Sequence, residues 1–236
     1  MNIRLIKDKI AGRFMLFLTI FVSMLVFIMA IGLYIRSRPI LGIKTLSELL
    51  FSTSWHPLKN EFGFLPFIMG SLWVTVTAVI IAIPFCLLTA IFLSEYAPKY
   101  ITELVKPLID LLAGIPSVVY GVWGVLVIVP FIKNHVGPLF GTFSSGYSVL
   151  AGGIVLAIMV FPVIIHVTLE VLRAVPHNLR QASLSLGATK WQTTKHIVLR
   201  KAMPGIIAAV VLGVSRAFGE TMAVLMVAGN VAKEIG

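Results

Sequence analysis

Charge and cysteine are both scarce in this chain. Only 12% of the 236 residues are Asp, Glu, Lys or Arg, and nine of these are acidic. The single cysteine, Cys86, excludes an intramolecular disulfide and any site built on paired cysteines. It lies in an apolar run and is expected to serve packing. No G-x-x-x-x-G-K-[ST] loop is present, which excludes a phosphate-loop nucleotidase, and no G-x-S-x-G occurs. His166 is the one histidine inside an apolar run, with no second histidine at ligand spacing, so no metal is expected. One enzyme reading remains, an intramembrane hydrolase built on His166 and Ser117. It lacks a paired nucleophile and oriented base, and no catalytic residue is assigned. Internal repeats and low-complexity segments are absent as well.

What the chain has is hydrocarbon. Apolar residues make up 58% of it and the mean hydropathy is +1.02, so the bilayer is its solvent. Five apolar runs, 14–35, 67–93, 108–132, 147–168 and 205–228, each reach the ~20 residues that a bilayer core demands. These predict an all-α, multi-pass membrane protein with one membrane domain, 14–236, behind a short N-terminus, 1–13. The first run is not a cleaved signal peptide, because bulky Tyr34, Ile35 and Arg36 end it. With the N-terminus inside, segments 1–13, 94–107 and 169–204 hold 12 Lys and Arg. The opposite segments, 36–66, 133–146 and 229–236, hold 6. The positive-inside rule thus favours a cytoplasmic N-terminus in a cell (inner) membrane. The net charge of +10 is topological, and no basic-aromatic surface on a soluble domain supports nucleic-acid binding.

Two charges, Arg216 and Glu220, interrupt the fifth run near its centre. On one continuous helix they share a face with Ala209, Gly213 and Ala223. Such a face is either a structural ion pair holding two helices together or a cationic station on an anion's path. Gly114, Ser117, Gly121 and Gly124 form a small-residue stripe in the third run. Pro84, Pro116, Pro130 and Pro162 loosen the backbone of three runs. Asp110 is placed near a helix N-terminus, where an acid needs no functional explanation.

Residues 169–204 have helical content of their own. Pro176 suits the first turn of a helix with an apolar side at Leu179, Ala182, Leu184 and Leu186, and Gly187 is placed to end it in a left-handed cap. Thr189 then starts a second, basic helix over 190–201, with Gln192 completing a capping box. A short helix, a glycine turn and a basic helix make a docking knob, with an amphipathic helix lying on lipid as the other reading.

The stretch Arg180-Gln181-Ala182-Ser183-Leu184-Ser185-Leu186-Gly187-Ala188-Thr189 resembles the E-A-A…G loop of ABC-transporter permeases that work with a binding protein. Gln181 stands where Glu is usual, and Pro204 lies downstream of the usual Leu-Pro position. Trp55-His56-Pro57, Glu61–Ile68, Leu93–Pro98, Ala113–Gly121 and Arg216–Ala223 resemble phosphate permeases of the PstC type. The resemblance runs from about residue 14 to the end. It implies a MetI-like ABC importer bundle with a cytoplasmic coupling helix. In that family the coupling helix, carried here by Gln181, Ala182, Ser183 and Gly187, sits in a cleft of the ATPase subunit. It also implies a PstA-like second permease, two copies of a PstB-like ATPase that bind ATP and Mg, and a PstS-like phosphate-binding protein. No cofactor is implied for this chain itself. Members of the family carry a sixth helix, which is missing here, so the chain is expected to stop before its last span.

For an anion path, the resemblance and the residues together single out Arg216, Glu220, Thr221 and Ser117. Arginine offers phosphate a planar fork of donors that stays protonated. Glu220 has two open roles: holding Arg216 between transport events, or accepting a hydrogen bond from protonated phosphate. Sulfate, molybdate and phosphonate are the alternative substrates.

Overall fold

The structure is a computed structural model that describes residues 3–42, 44–56, 61–139, 141 and 145–229, with side chains from residue 7. It divides into two compact units, residues 1–65 and 66–236. The C-terminal tail 230–236 lies outside the described residues.

The first unit holds α1 (Ile3–Leu41), α2 (Leu46–Phe51) and a two-stranded antiparallel ribbon, β1 (Trp55–His56) with β2 (Glu61–Phe62). No proline stands between residue 3 and Pro39, and the isolated Gly12 and Gly32 are carried within the helix. The helix therefore runs through the boundary expected at residue 13 and beyond residue 35. In the ribbon Trp55 faces Phe62, with ring centroids 6.0 Å apart, and also meets Phe64 at 5.7 Å. Gly63 is needed here, because a Cβ on it would lie within 3 Å of the Ser54 carbonyl oxygen as well as against the Ser52 backbone.

The second unit is a helical bundle, for which α3 spans Leu65–Tyr96, α4 Lys99–Gly114, α5 Ser117–Leu139, α6 Val149–Arg173, α7 His177–Ser185, α8 Lys190–Phe218 and α9 Met222–Val227. α1 (from Lys7), α3, α5, α6 and α8 are long and apolar enough to cross a membrane. The protein is a multi-pass, all-α membrane protein. The last turn of α3, two turns of α5 and the second turn of α8 are π-helical.

Two spans differ from the sequence expectation. The run 108–132 is not one helix: α4 stops at Gly114, and Pro116 keeps the preceding residue out of helical conformation before α5 begins at Ser117. α4 is amphipathic, burying Thr102 and Ile109 while Leu104, Leu108 and Leu111 stay exposed. The run 205–228 is not one helix either. α8 starts at Lys190, passes through Pro204 and stops at Phe218, and α9 resumes after Gly219–Thr221.

α6 is the buried axis, with Ala151, Val155, Leu156, Ala157, Ile164, Leu169 and Leu172 at 1% exposure or less. Its neighbours can be registered along it wherever a small residue allows close approach. A side chain on Gly205 of α8 would strike Val171, and one on Gly213 would strike Ile164 and Val160, so α8 runs antiparallel to α6. Gly153 admits Thr77 of α3, and the Cys86 thiol points to the Phe161 carbonyl, so α3 runs parallel to α6. Two polar contacts tie α4 antiparallel to it: the ion pair of Lys106 Nζ with Glu170 Oε1 at 2.7 Å, and His166 Nδ1 against Asp110 Oδ1 at 3.2 Å. Asp110 thus stands in the C-terminal half of α4, not at a helix N-terminus, and it is matched to His166.

Candidate functional site

The basic end of the bundle carries the elbow between α7 and α8. Pro176 precedes α7, and Gly187 takes φ +85°, the left-handed conformation that the glycine cap requires. Its N–H donates to the Leu184 carbonyl at 3.0 Å, and the Ala188 N–H donates to the Ser183 carbonyl at 3.3 Å. Thr189 and Gln192 close a reciprocal capping box, with bonds of 3.2 and 2.8 Å. Of the residues expected to couple to an ATPase, Gln181 and Ala182 are exposed. Ser183 is half-buried and shares a 2.9 Å hydrogen bond with Thr193. Leu184 is exposed beside them, and Leu186 is 89% exposed. Leaving such a leucine in water forgoes about 1.5–3 kcal/mol of burial, which docking against a partner would recover.

Sequence reasoning missed the residue that seats this elbow. Arg180 Nε and Nη2 donate to Glu95 Oε2 and Oε1 at 3.2 and 2.9 Å. Nη2 also donates to the Leu172 carbonyl at 2.8 Å and Nη1 to the Val175 carbonyl. The two side chains are 15% and 8% exposed. Both lay in quoted motifs, but 85 positions separate them. Nothing local pairs them; only the parallel run of α3 and α6 does.

The second place where candidates gather is a pair of helix breaks beside the middle of α6. Gly213 faces Val160 and Ile164, so Arg216, one turn on in an antiparallel helix, stands near the level of Met159. That is close to mid-length of α6, the depth expected for it. The expected face is not formed, however. The buried stripe of α8 is Ala202, Ile206, Ala209, Gly213 and Ala217, and Arg216 is exposed beside it. Glu220 lies past the end of α8, where its Oε1 accepts the Ala223 N–H at 3.1 Å and caps α9. Arg216 and Glu220 form no ion pair. The physical reason is the break: Gly219 ends α8, so the i, i+4 spacing no longer sets two side chains on one helix.

Gly121 of α5 lies against Ala223 and Met226 of α9, and Gly124 lies against Val227. The two helices therefore run side by side in one direction, which puts Ser117 at the level of the Gly219–Thr221 break. Of the expected stripe, Gly114 belongs to α4, and Ser117, Gly121 and Gly124 remain on α5. Ser117 is half-buried and Thr221 exposed. Tyr120 bridges the Ile115–Pro116 break by donating to the Leu112 carbonyl at 2.9 Å, and Arg216 lies within electrostatic reach of its phenol. The breaks thus bring Ser117, Arg216, Glu220 and Thr221 to one depth. His166 pairs with Asp110 in the α4–α6 seam. Among the described residues no cluster of three His, Cys, Asp or Glu could hold a metal.

An arginine exposed at mid-bundle can receive an oxyanion through a planar fork of donors, with hydroxyls of Ser117 and Thr221 at the same level. Residues 82–235, which include the elbow and both breaks, match the family described as binding-protein-dependent transport system inner membrane component. The chain is 44% identical over 185 residues to a probable ABC transporter permease protein, YqgH, of Bacillus subtilis, a match covering 78% of this chain and 58% of that one. It is 41% identical over 194 residues to a phosphate transport system permease protein PstC of Xylella fastidiosa, covering 76% and 60%. With PstC 1 of Mycobacterium tuberculosis the identity is 40% over 190 residues, covering 75% and 56%. The chain spans about three fifths of the length of these curated relatives. With its five apolar spans and the match over 82–235, the chain belongs to the family of inner membrane components of binding-protein-dependent transport systems.

Proposed function

We propose that the chain is a permease subunit of an ATP-driven phosphate importer, lining the path for inorganic phosphate with a second, PstA-like permease. The observation that carries this reading is the exposed Arg216 at mid-length of α6, beside two helix breaks. An arginine facing lipid at that depth costs roughly 2.5–3.5 kcal/mol on insertion scales, so its face is one that a partner helix or an aqueous path covers. Backbone breaks at membrane depth are tolerated where they line such a cavity. Phosphate as the anion is supported by the phosphate transport system permeases among its relatives.

In this reading ATP and Mg are bound by two PstB-like subunits, and the α7 elbow docks on them through Gln181, Ala182, Ser183 and its exposed leucines. A PstS-like protein delivers phosphate to the opposite side. The basic end of the bundle then faces the cytoplasm, with the N-terminus inside and the chain in the cell (inner) membrane. A cysteine placed at Gln192 in a Cys86→Ala background should react only with reagents that reach the cytoplasm; labelling from outside would invert the topology.

The test of the function is reconstitution of the four components in liposomes. ATP-driven accumulation of labelled phosphate that excess sulfate or molybdate does not suppress is the expected result. Transport of sulfate, molybdate or a phosphonate in its place would keep the permease and change the anion.

A further inference from the structure

We infer that Arg180 is a positioning residue that ties α7 to the end of α3, so that a displacement of the elbow is delivered to α3 together with α6 and α8. The inference rests on the importer reading for its cause of motion, a partner ATPase, and on the geometry for its route. Without Arg180, α7 would be held mainly through its own chain connections to α6 and α8 and the Ser183–Thr193 hydrogen bond. With it, one guanidinium gathers three segments. It grips both oxygens of Glu95 in the last π turn of α3, and it satisfies the carbonyls of Leu172 and Val175 where α6 runs out. The Leu172 carbonyl also accepts the Val175 N–H at 3.3 Å, and both carbonyls lie at the negative end of the α6 dipole, so a cation is favoured there. Ser94 donates to Glu95 Oε1 at 2.9 Å and fixes the carboxylate from its own side.

Burial makes the tie stiff. At 15% and 8% exposure neither partner can exchange its contacts for water cheaply, so separating them leaves a charge stranded. Lysine cannot replace the arginine, because an ammonium has no fork to span a carboxylate and two carbonyls at once. The tie adds to the packing of α3 on α6: Thr77 at Gly153 and Cys86 at Phe161 register its far end and middle, and its last turn also lies against α6, but none of these contacts reaches α7.

The experiment uses the assembled transporter in a Cys86→Ala background, with nitroxide pairs between Asn178→Cys on α7 and Phe92→Cys on α3, and between Asn178→Cys and Leu139→Cys at the far end of α5. Distances are measured without nucleotide and in the vanadate-trapped state. The inference predicts that the α7–α5 distance changes between states while the α7–α3 distance holds. With Arg180→Lys or Glu95→Gln added, the α7–α3 distance should change as well, and ATP hydrolysed per phosphate moved should rise about tenfold. Mere loss of folded complex lowers hydrolysis and uptake together and leaves that ratio unmoved. An α7–α3 distance that changes with Arg180 and Glu95 intact, or a ratio unmoved in both variants at parental yield of assembled complex, overturns the inference. If the unaltered complex moves no phosphate but the distances behave as predicted, the substrate reading fails and the tie stands.

Discussion

The hydroxyls of Ser183 and Thr193 lie 2.9 Å apart and close the elbow between α7 and α8 around Gly187, whose φ is +85°. A β-branched residue resists that conformation, at a cost of about 1–2 kcal/mol. Gly187→Val should therefore lower phosphate uptake and binding-protein-stimulated ATPase activity in parallel while membrane insertion stays normal. Gly187→Asn, which tolerates the left-handed region, should retain most activity. Equal behaviour of the two variants would remove the elbow from the coupling route.

Glu220 is held by a backbone bond to Ala223, so its substitution should read as loss of a helix cap. Glu220→Gln keeps an acceptor oxygen and should stay close to the parent in thermal unfolding in detergent. Glu220→Leu should be destabilised by about 1 kcal/mol, the usual cost of an absent cap. An equal loss in both variants would restore a role for the carboxylate charge.

The α6–α8 seam should be sensitive to volume. A Cβ on Gly213 already meets Ile164 and Val160, so Gly213→Ala should cost about 1–3 kcal/mol of overpacking and Gly213→Leu more. Gly70 has open space around it, and Gly70→Ala should be neutral or slightly stabilising. Comparable thermal unfolding of Gly213→Leu and Gly70→Ala would contradict the register drawn between these helices.

The fold was legible where its determinants are local. Hydropathy marked five spans, and the Gly187 and Thr189–Gln192 signals placed the turn of the elbow, with Pro176 standing just before α7 rather than in its first turn. Hydropathy could not see the breaks at Ile115–Pro116 and Gly219–Thr221, because the residues on either side remain apolar. The helical spacing of Arg216 and Glu220 therefore described a face that the chain never makes. Arg180–Glu95, Asp110–His166 and Lys106–Glu170 depend on which helices run side by side, and no single-helix periodicity carries that. The depth of Arg216 was reached from a span centre. In the fold it follows instead from Gly213 against α6.

The most direct test is uptake by Arg216 variants in complexes shown to assemble. Arg216→Met should lower ATP-driven phosphate uptake about a hundredfold or more, the scale of losing two charge-assisted hydrogen bonds worth ~1.5–3 kcal/mol each. Arg216→Lys should recover little of it, because an ammonium lacks the bidentate fork. Near-parental uptake by Arg216→Met would contradict the account and leave this chain's anion path without its cation.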